Sequence, residues 1–155
     1  MVVINDAYNA NPESMRAALT ALASVAGSRQ ARGGRSFAVL GPMAELGADG
    51  PAEHEALGRL AVRLQVARVV AVGEQARPIQ QSAALQGSWH GRSSWVPDAE
   101  AAIAVLREEL RPGDVVLVKA SRSASLERVA LAIADDSSSG SEPIAGTDGT
   151  GGTGA

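Results

Sequence analysis

Apolar residues along this chain alternate between two spacings. Val2 to Ile4 is a short β-branched run ending in Asn5 and Asp6, as expected of a buried strand entering a loop. Met15, Leu19, Leu22 and Val25 then recur at helical spacing. Asn11 is a good N-cap for that helix, Pro12 suits its first position, and Glu13 adds negative charge near the positive end of the dipole. Gly27 is expected to end it. The unit repeats as a strand over 36–40, a loop from Gly41 to Gly47 and a helix over about 51–65. A strand over 69–72 leads through Gly73 to a helix near 75–85, and 93–96 reads as a short edge strand. Asp98 caps a helix that reaches Leu110, and Arg111, Pro112, Gly113 and Asp114 make a turn. Residues 115–118 are a continuous apolar strand of the kind buried on both faces, and a final helix covers about 123–134.

Strands that alternate with helices of about ten to fifteen residues imply right-handed crossovers. The expected fold is α/β and Rossmann-like, a mainly parallel sheet with helices on both faces, formed by residues 1–135. From Asp136 onward Ser, Gly and Thr dominate. Such a segment buries too little apolar surface to offset its ordering entropy, so 136–155 is expected to be a disordered tail without chemistry.

Composition narrows the function. At 155 residues the chain suits one core plus an extension, and only 3% aromatics leaves that core to Ala, Val, Leu and Ile. A formal charge of -3 supplies no basic field for a phosphate polymer, which weighs against nucleic acid as a partner. Without cysteine there is neither a disulfide framework nor a thiolate metal site. No stretch of about eighteen apolar residues and no signal-peptide layout is present, so a soluble cytoplasmic protein without a membrane partner is expected. The chain opens directly on a strand, which suggests that upstream sequence has been removed.

In an open parallel sheet, ligands bind beyond the carboxyl ends of the strands. Three polar clusters map there. In the first, Asp6 can accept hydrogen bonds from a ribose, Tyr8 can stack or hydrogen-bond, and Asn9 and Asn11 offer amides. The plainer reading makes Asn11 only a helix cap and Asp6 only a turn former. The second cluster, Gly41-Pro42-Met43-Ala44-Glu45-Leu46-Gly47, is a flexible substrate loop or simply a tight connection. The third is Lys119-Ala120-Ser121-Arg122-Ser123, where the only lysine of the chain leaves a buried strand. Arg122 at the entrance to a helix suits a carboxylate or phosphate, with Ser121 and Ser123 as further donors, or else is a surface arginine beside a Ser123 cap. His54 suits a ligand, an acid–base group or a packing residue, with packing or surface exposure favoured, and His90 reads as exposed. With two histidines and no cysteine, no metal site is expected. No P-loop, dinucleotide fingerprint or Gly-x-Ser-x-Gly elbow occurs, so the chain holds no complete phosphoryl-transfer site.

Asp6-Ala7-Tyr8-Asn9-Ala10-Asn11-Pro12-Glu13-Ser14-Met15 resembles the opening motif of the C-terminal domain in the UDP-N-acetylmuramoyl-tripeptide:D-alanyl-D-alanine ligases of the Mur ligase family. Leu40-Gly41-Pro42-Met43-Ala44-Glu45-Leu46-Gly47, followed by His54 and Gly58, is similar to that family's second segment. Residues 113–122, with Leu126 and Glu127, are similar to its last. The three motifs run in register over residues 1 to about 134. Pro42 stands where an acidic residue is usual, and Ala120 where glycine is common.

The resemblance implies a reaction in which ATP phosphorylates the terminal carboxylate of UDP-N-acetylmuramoyl-tripeptide and the amine of D-alanyl-D-alanine attacks the acyl phosphate. It also implies N-terminal and central domains that are missing here, the central one holding the P-loop and magnesium, so that this domain alone is inactive and has no catalytic residue of its own. By motif position, Asp6, Tyr8, Asn9 and Asn11 are assigned to ATP, and Ser121, Arg122 and Lys119 to D-alanyl-D-alanine. Met43 and Glu45 are further loop contacts. Alternatives are the C-terminal domain of another Mur or folylpolyglutamate-type ligase, which the Tyr8-Asn9-Ala10-Asn11-Pro12 string disfavours, a free-standing nucleotide or anion-binding module, and a scaffolding domain.

Overall fold

A computed structural model describes residues 1–30 and 33–139 of the chain. Five parallel strands, β1 (Val2–Asp6), β2 (Ser36–Leu40), β3 (Arg68–Val72), β4 (Arg92–Val96) and β5 (Val115–Lys119), lie side by side in the order β1-β5-β2-β3-β4. Five helices connect them: α1 (Pro12–Arg29), α2 (Gly50–Arg63), α3 (Arg77–Ala84), α4 (Ala99–Glu109) and α5 (Glu127–Ser139). The α/β reading therefore holds, with helices on both faces. From β1 to β4 the chain advances across the sheet, and a right-handed crossover then puts every helix on one side. Met15, Leu19 and Leu22 of α1, Leu57 of α2 and Ile79 of α3 accordingly share one core with Leu40, Ala71 and Leu117. The step from β4 back to β5 runs the other way, so its helix lies on the opposite face. There Ala102 and Leu106 of α4 pack with Val129 and Ile133 of α5 over Phe37, Val70 and Val118.

The amino ends of the strands are closed by ion pairs. Asp114, 1% exposed, accepts from the Arg35 backbone N–H at 3.2 Å, from Arg35 Nε at 3.1 Å and Nη2 at 2.7 Å, and from the Arg111 N–H at 2.8 Å. Arg68, buried at the start of β3, donates to Glu109 Oε2 at 2.9 Å and to Ser94 Oγ at 2.9 Å, and Arg92 pairs with the same carboxylate. A buried charge is tolerated only when its hydrogen bonds are met, and here they tie β2, β3, β4, α4 and β5 together.

Several boundaries differ from expectation. Gly27 does not end α1: a side chain there would meet nothing within 4 Å, the backbone stays helical, and the helix continues to Arg29. Glycine permits a stop without imposing one. The last helix begins at Glu127 rather than Ser123, because Ser125 adopts φ 54° after a three-residue 3-10 turn, Arg122–Ala124. It ends at Ser139, so Asp136 to Ser139, expected in the tail, are helical, with Asp136 Oδ2 accepting from Arg107 Nε at 2.8 Å. The rest of the expected tail, 140–155, lies outside the described residues.

At Gly58 the backbone of α2 lies close against α3. A Cβ there would fall 2.2 Å from the Ile79 carbonyl oxygen and 2.0 Å from Ser82 Oγ, and Ser82 itself donates to the Glu55 carbonyl at 2.7 Å. Backbone cannot move aside cheaply. Gly58→Ala is expected to destabilise the chain by about 2–3 kcal/mol, read as a lower urea midpoint with an unchanged slope.

Candidate functional site

The reversal at β5 opens the carboxyl edge of the sheet. The loops after β1 and β2 leave toward α1 and α2 on one face, while the loop after β5 leaves toward α5 on the other. Connections that diverge from neighbouring strands leave a crevice between them, the usual ligand position in open α/β sheets. All three polar clusters of the sequence meet there.

Parallel pairing places Asp6 opposite Lys119. Lys119 Nζ donates to Asp6 Oδ2 at 2.5 Å and to the Asn9 carbonyl at 2.8 Å. The lysine side chain is 2% exposed and that of Asp6 46%. Lys119 was assigned to the dipeptide, yet its ammonium is enclosed beneath the β1–α1 loop. In that loop Ala7 and Ala10 point inward, whereas Tyr8 is 57% exposed and Asn9 is exposed. Asn11 caps α1 as the plainer reading held: its Oδ1 accepts from the Ser14 N–H at 2.8 Å, and Ser14 Oγ accepts from the Asn11 N–H at 3.0 Å. Its side-chain oxygen is thus committed to the helix.

The β5 loop is braced against the β2 loop. Gly41 N–H donates to the Lys119 carbonyl at 2.9 Å, and Ser121 N–H to the Pro42 carbonyl at 3.0 Å. A Cβ on Gly41 would sit 2.6 Å from that of Ala120, so position 41 must be glycine while position 120 carries a methyl. Ser121 is buried with its Oγ 3.2 Å from Ser123 Oγ. Arg122 is exposed and makes no ion pair among the described residues. It was expected at the mouth of a helix, but α5 starts at Glu127 and Arg122 opens only the short 3-10 turn. Its guanidinium, rather than a helix dipole, is what this point presents to an anion.

In the second loop Met43 is 2% exposed and packs in the core, and it also lines the cleft between this loop and α2. Its backbone N–H donates to His54 Nε2 at 3.0 Å, and His54 Nδ1 lies 2.6 Å from the Gly50 carbonyl. With both ring nitrogens used and 2% exposure, His54 is the packing residue that was favoured, fastening the loop to α2. Glu45 is exposed at φ 62° and lines a cleft with Leu46, Gly47, Pro51 and Glu74. His90 is exposed. Sequence reading missed the Asn9 carbonyl as a partner and the inward course of Lys119. Both depend on β5 lying beside β1, which local pattern does not announce.

A parallel sheet covered on both faces, with three polar loops side by side at its carboxyl edge, defines a Rossmann-like class. Within that class, the Mur ligase, glutamate ligase domain family matches residues 1–122, and the chain belongs to that family. It is 52% identical to the UDP-N-acetylmuramoyl-tripeptide–D-alanyl-D-alanine ligase of Mycobacterium tuberculosis over 91% of this chain. It is 34% identical to the ligase of the same name from Escherichia coli over 87% of this chain. The chain spans 30% of the first of these proteins and 27% of the second. Among solved structures, MurF ligase from Thermotoga maritima in complex with ADP matches with a TM-score of 0.66 and 29% identity, over 88% of this chain and 29% of that one. MurF from Acinetobacter baumannii matches with a TM-score of 0.65 and 29% identity, over 83% and 26%.

The unequal burial of the two charges gives a stability test. Removing Asp6 leaves an enclosed ammonium with one carbonyl partner, whereas removing Lys119 frees a carboxylate that already reaches water. Asp6→Ala is expected to cost about 3 kcal/mol and Lys119→Met about 1 kcal/mol in urea unfolding.

Proposed function

We propose that this chain is the C-terminal, closing domain of a bacterial cytoplasmic ligase that adds D-alanyl-D-alanine to UDP-N-acetylmuramoyl-tripeptide at the expense of ATP, in peptidoglycan precursor synthesis. The observation that carries this reading is the meeting of the three motif clusters at the carboxyl edge of the sheet, in a chain 52% identical to a relative of that name. No helix among the described residues is long and apolar enough to cross a membrane, consistent with small polar substrates met in water.

The division of labour follows from what the chain carries. The sequence has no P-loop, and among the described residues no group of three metal-ligating side chains comes together. As the motif resemblance implies, magnesium and most contacts to the ATP phosphates are assigned to a central domain, and the chain alone is expected to be inactive. That phosphoryl chemistry supplies the acyl phosphate. This domain's own groups orient what meets it: the Asp6 carboxylate and Tyr8 ring face the ATP ribose or phosphates, with Asn9 and Asn11 shaping the loop around them. The Arg122 guanidinium takes the dipeptide carboxylate as a charge-assisted fork, with Ser121 beside it. Closing the crevice over the central domain excludes water and sets the amine against its target, which contributes several kcal/mol without covalent work.

Replacing Arg122 with Ala in the full-length ligase tests the reading. The KM for D-alanyl-D-alanine is expected to rise at least about tenfold while that for ATP stays within about twofold. A dipeptide KM that does not move removes Arg122 from this role.

A further inference from the structure

Among the described residues, Lys119 is the only charged side chain in the group of largest fully buried ones. A group with 2% of its surface open has almost nothing to offer a dipeptide arriving from water. Two of its three ammonium donors are already used, one on Asp6 Oδ2 and one on the Asn9 carbonyl. One acceptor ends β1 and the other lies in the β1–α1 loop, the cluster assigned above to the nucleotide. The pairing is set by strand register rather than by the reach of a flexible side chain, since Asp6 and Lys119 are direct neighbours across β1 and β5. Asp6 is nearly half exposed, and its other oxygen, Oδ1, accepts no hydrogen bond among the described residues.

We infer that Lys119 is a positioning residue for the nucleotide, acting through Asp6, and not a ligand of the dipeptide. One carboxylate oxygen is held by the ammonium, so the second is aimed outward as an acceptor for a ribose hydroxyl. The same ammonium holds the Asn9 carbonyl and thereby sets the loop that presents Tyr8. A carboxylate left to rotate would spread its acceptor over many directions and lose the benefit of prior orientation. The inference rests on the nucleotide reading of the crevice and goes beyond it by moving Lys119 from one substrate to the other.

The test uses the full-length ligase with ATP, 2′-deoxy-ATP and 3′-deoxy-ATP. Lys119→Met is expected to raise the KM for ATP about tenfold and to leave that for D-alanyl-D-alanine within about twofold. The preference for ATP over whichever deoxy analogue the parent enzyme rejects should shrink. The Asp6→Ala and Lys119→Met effects on the ATP KM should also fail to add in the double variant. Lys119→Gln, which keeps a donor, should fall between parent and Met, and supplies the same readout should the Met variant fail to fold. A raised dipeptide KM with unchanged ATP KM would overturn the inference, as would equal rises in both with the ribose preference intact, the pattern of a merely structural lysine. If Asp6→Ala itself leaves the ATP KM unchanged, the nucleotide reading of the crevice fails. If Asp6→Ala raises it and neither Lys119 variant does, only the role of Lys119 fails.

Discussion

The handedness of the β–α–β crossover governs this domain. Three successive units advance across the sheet and stack α1, α2 and α3 on one face. Nothing then covers the other face until the chain turns back, and the return places β5 between β1 and β2, with α4 and α5 over the bare side. One topological decision thus completes the second core and separates the loops at the carboxyl edge. The crevice is a by-product of covering both faces, which is why it falls at the end of β5.

The two ends of the sheet carry opposite solutions to the same electrostatic problem. At the amino end, Asp114 and Glu109 receive the guanidinium groups of Arg35, Arg68 and Arg92 in a network that ties together the strand starts. At the carboxyl end, a single buried ammonium meets a carboxylate that remains partly in water. Buried pairs contribute modestly to stability compared with apolar substitutes, but each fixes its partners in one geometry. In the first case the geometry fixed is that of the sheet. In the second it is a loop that lines the crevice.

Local chemistry was legible in the residues wherever the cause was local. The period changes, the Asn11-Pro12 start of α1 and the Asp98 cap of α4 all lie within one turn of the feature they produce, and each stands as expected. What escaped depended on distant neighbours. Arg68 enters a strand because Glu109 and Ser94 wait for its guanidinium, and α5 outlasts the expected end where Arg107 reaches Asp136. The left-handed backbone of Ser125 delays the last helix, and no residue preference announces that conformation at a serine. The three clusters were found from their positions after strands. Their inward or outward course was not, because it depends on which strand becomes the neighbour, and β5 beside β1 is a fact of topology.

Pro42 and Ala120 acquire a physical reading from the same loops. Position 42 contributes its backbone: the Pro42 carbonyl receives the Ser121 N–H, a bond that needs no side chain. A ring that fixes φ there costs nothing, since proline surrenders only a donor and the acceptor is what the β5 loop uses. Position 120 is coupled to position 41, where the missing side chain leaves room for the Ala120 methyl. A methyl at 120 is therefore compatible with this loop pair only while 41 remains glycine, and it fills space between two loops that must stay in contact for the crevice to keep its shape. Both residues brace the loops at the carboxyl edge, next to the segment that carries Ser121 and Arg122.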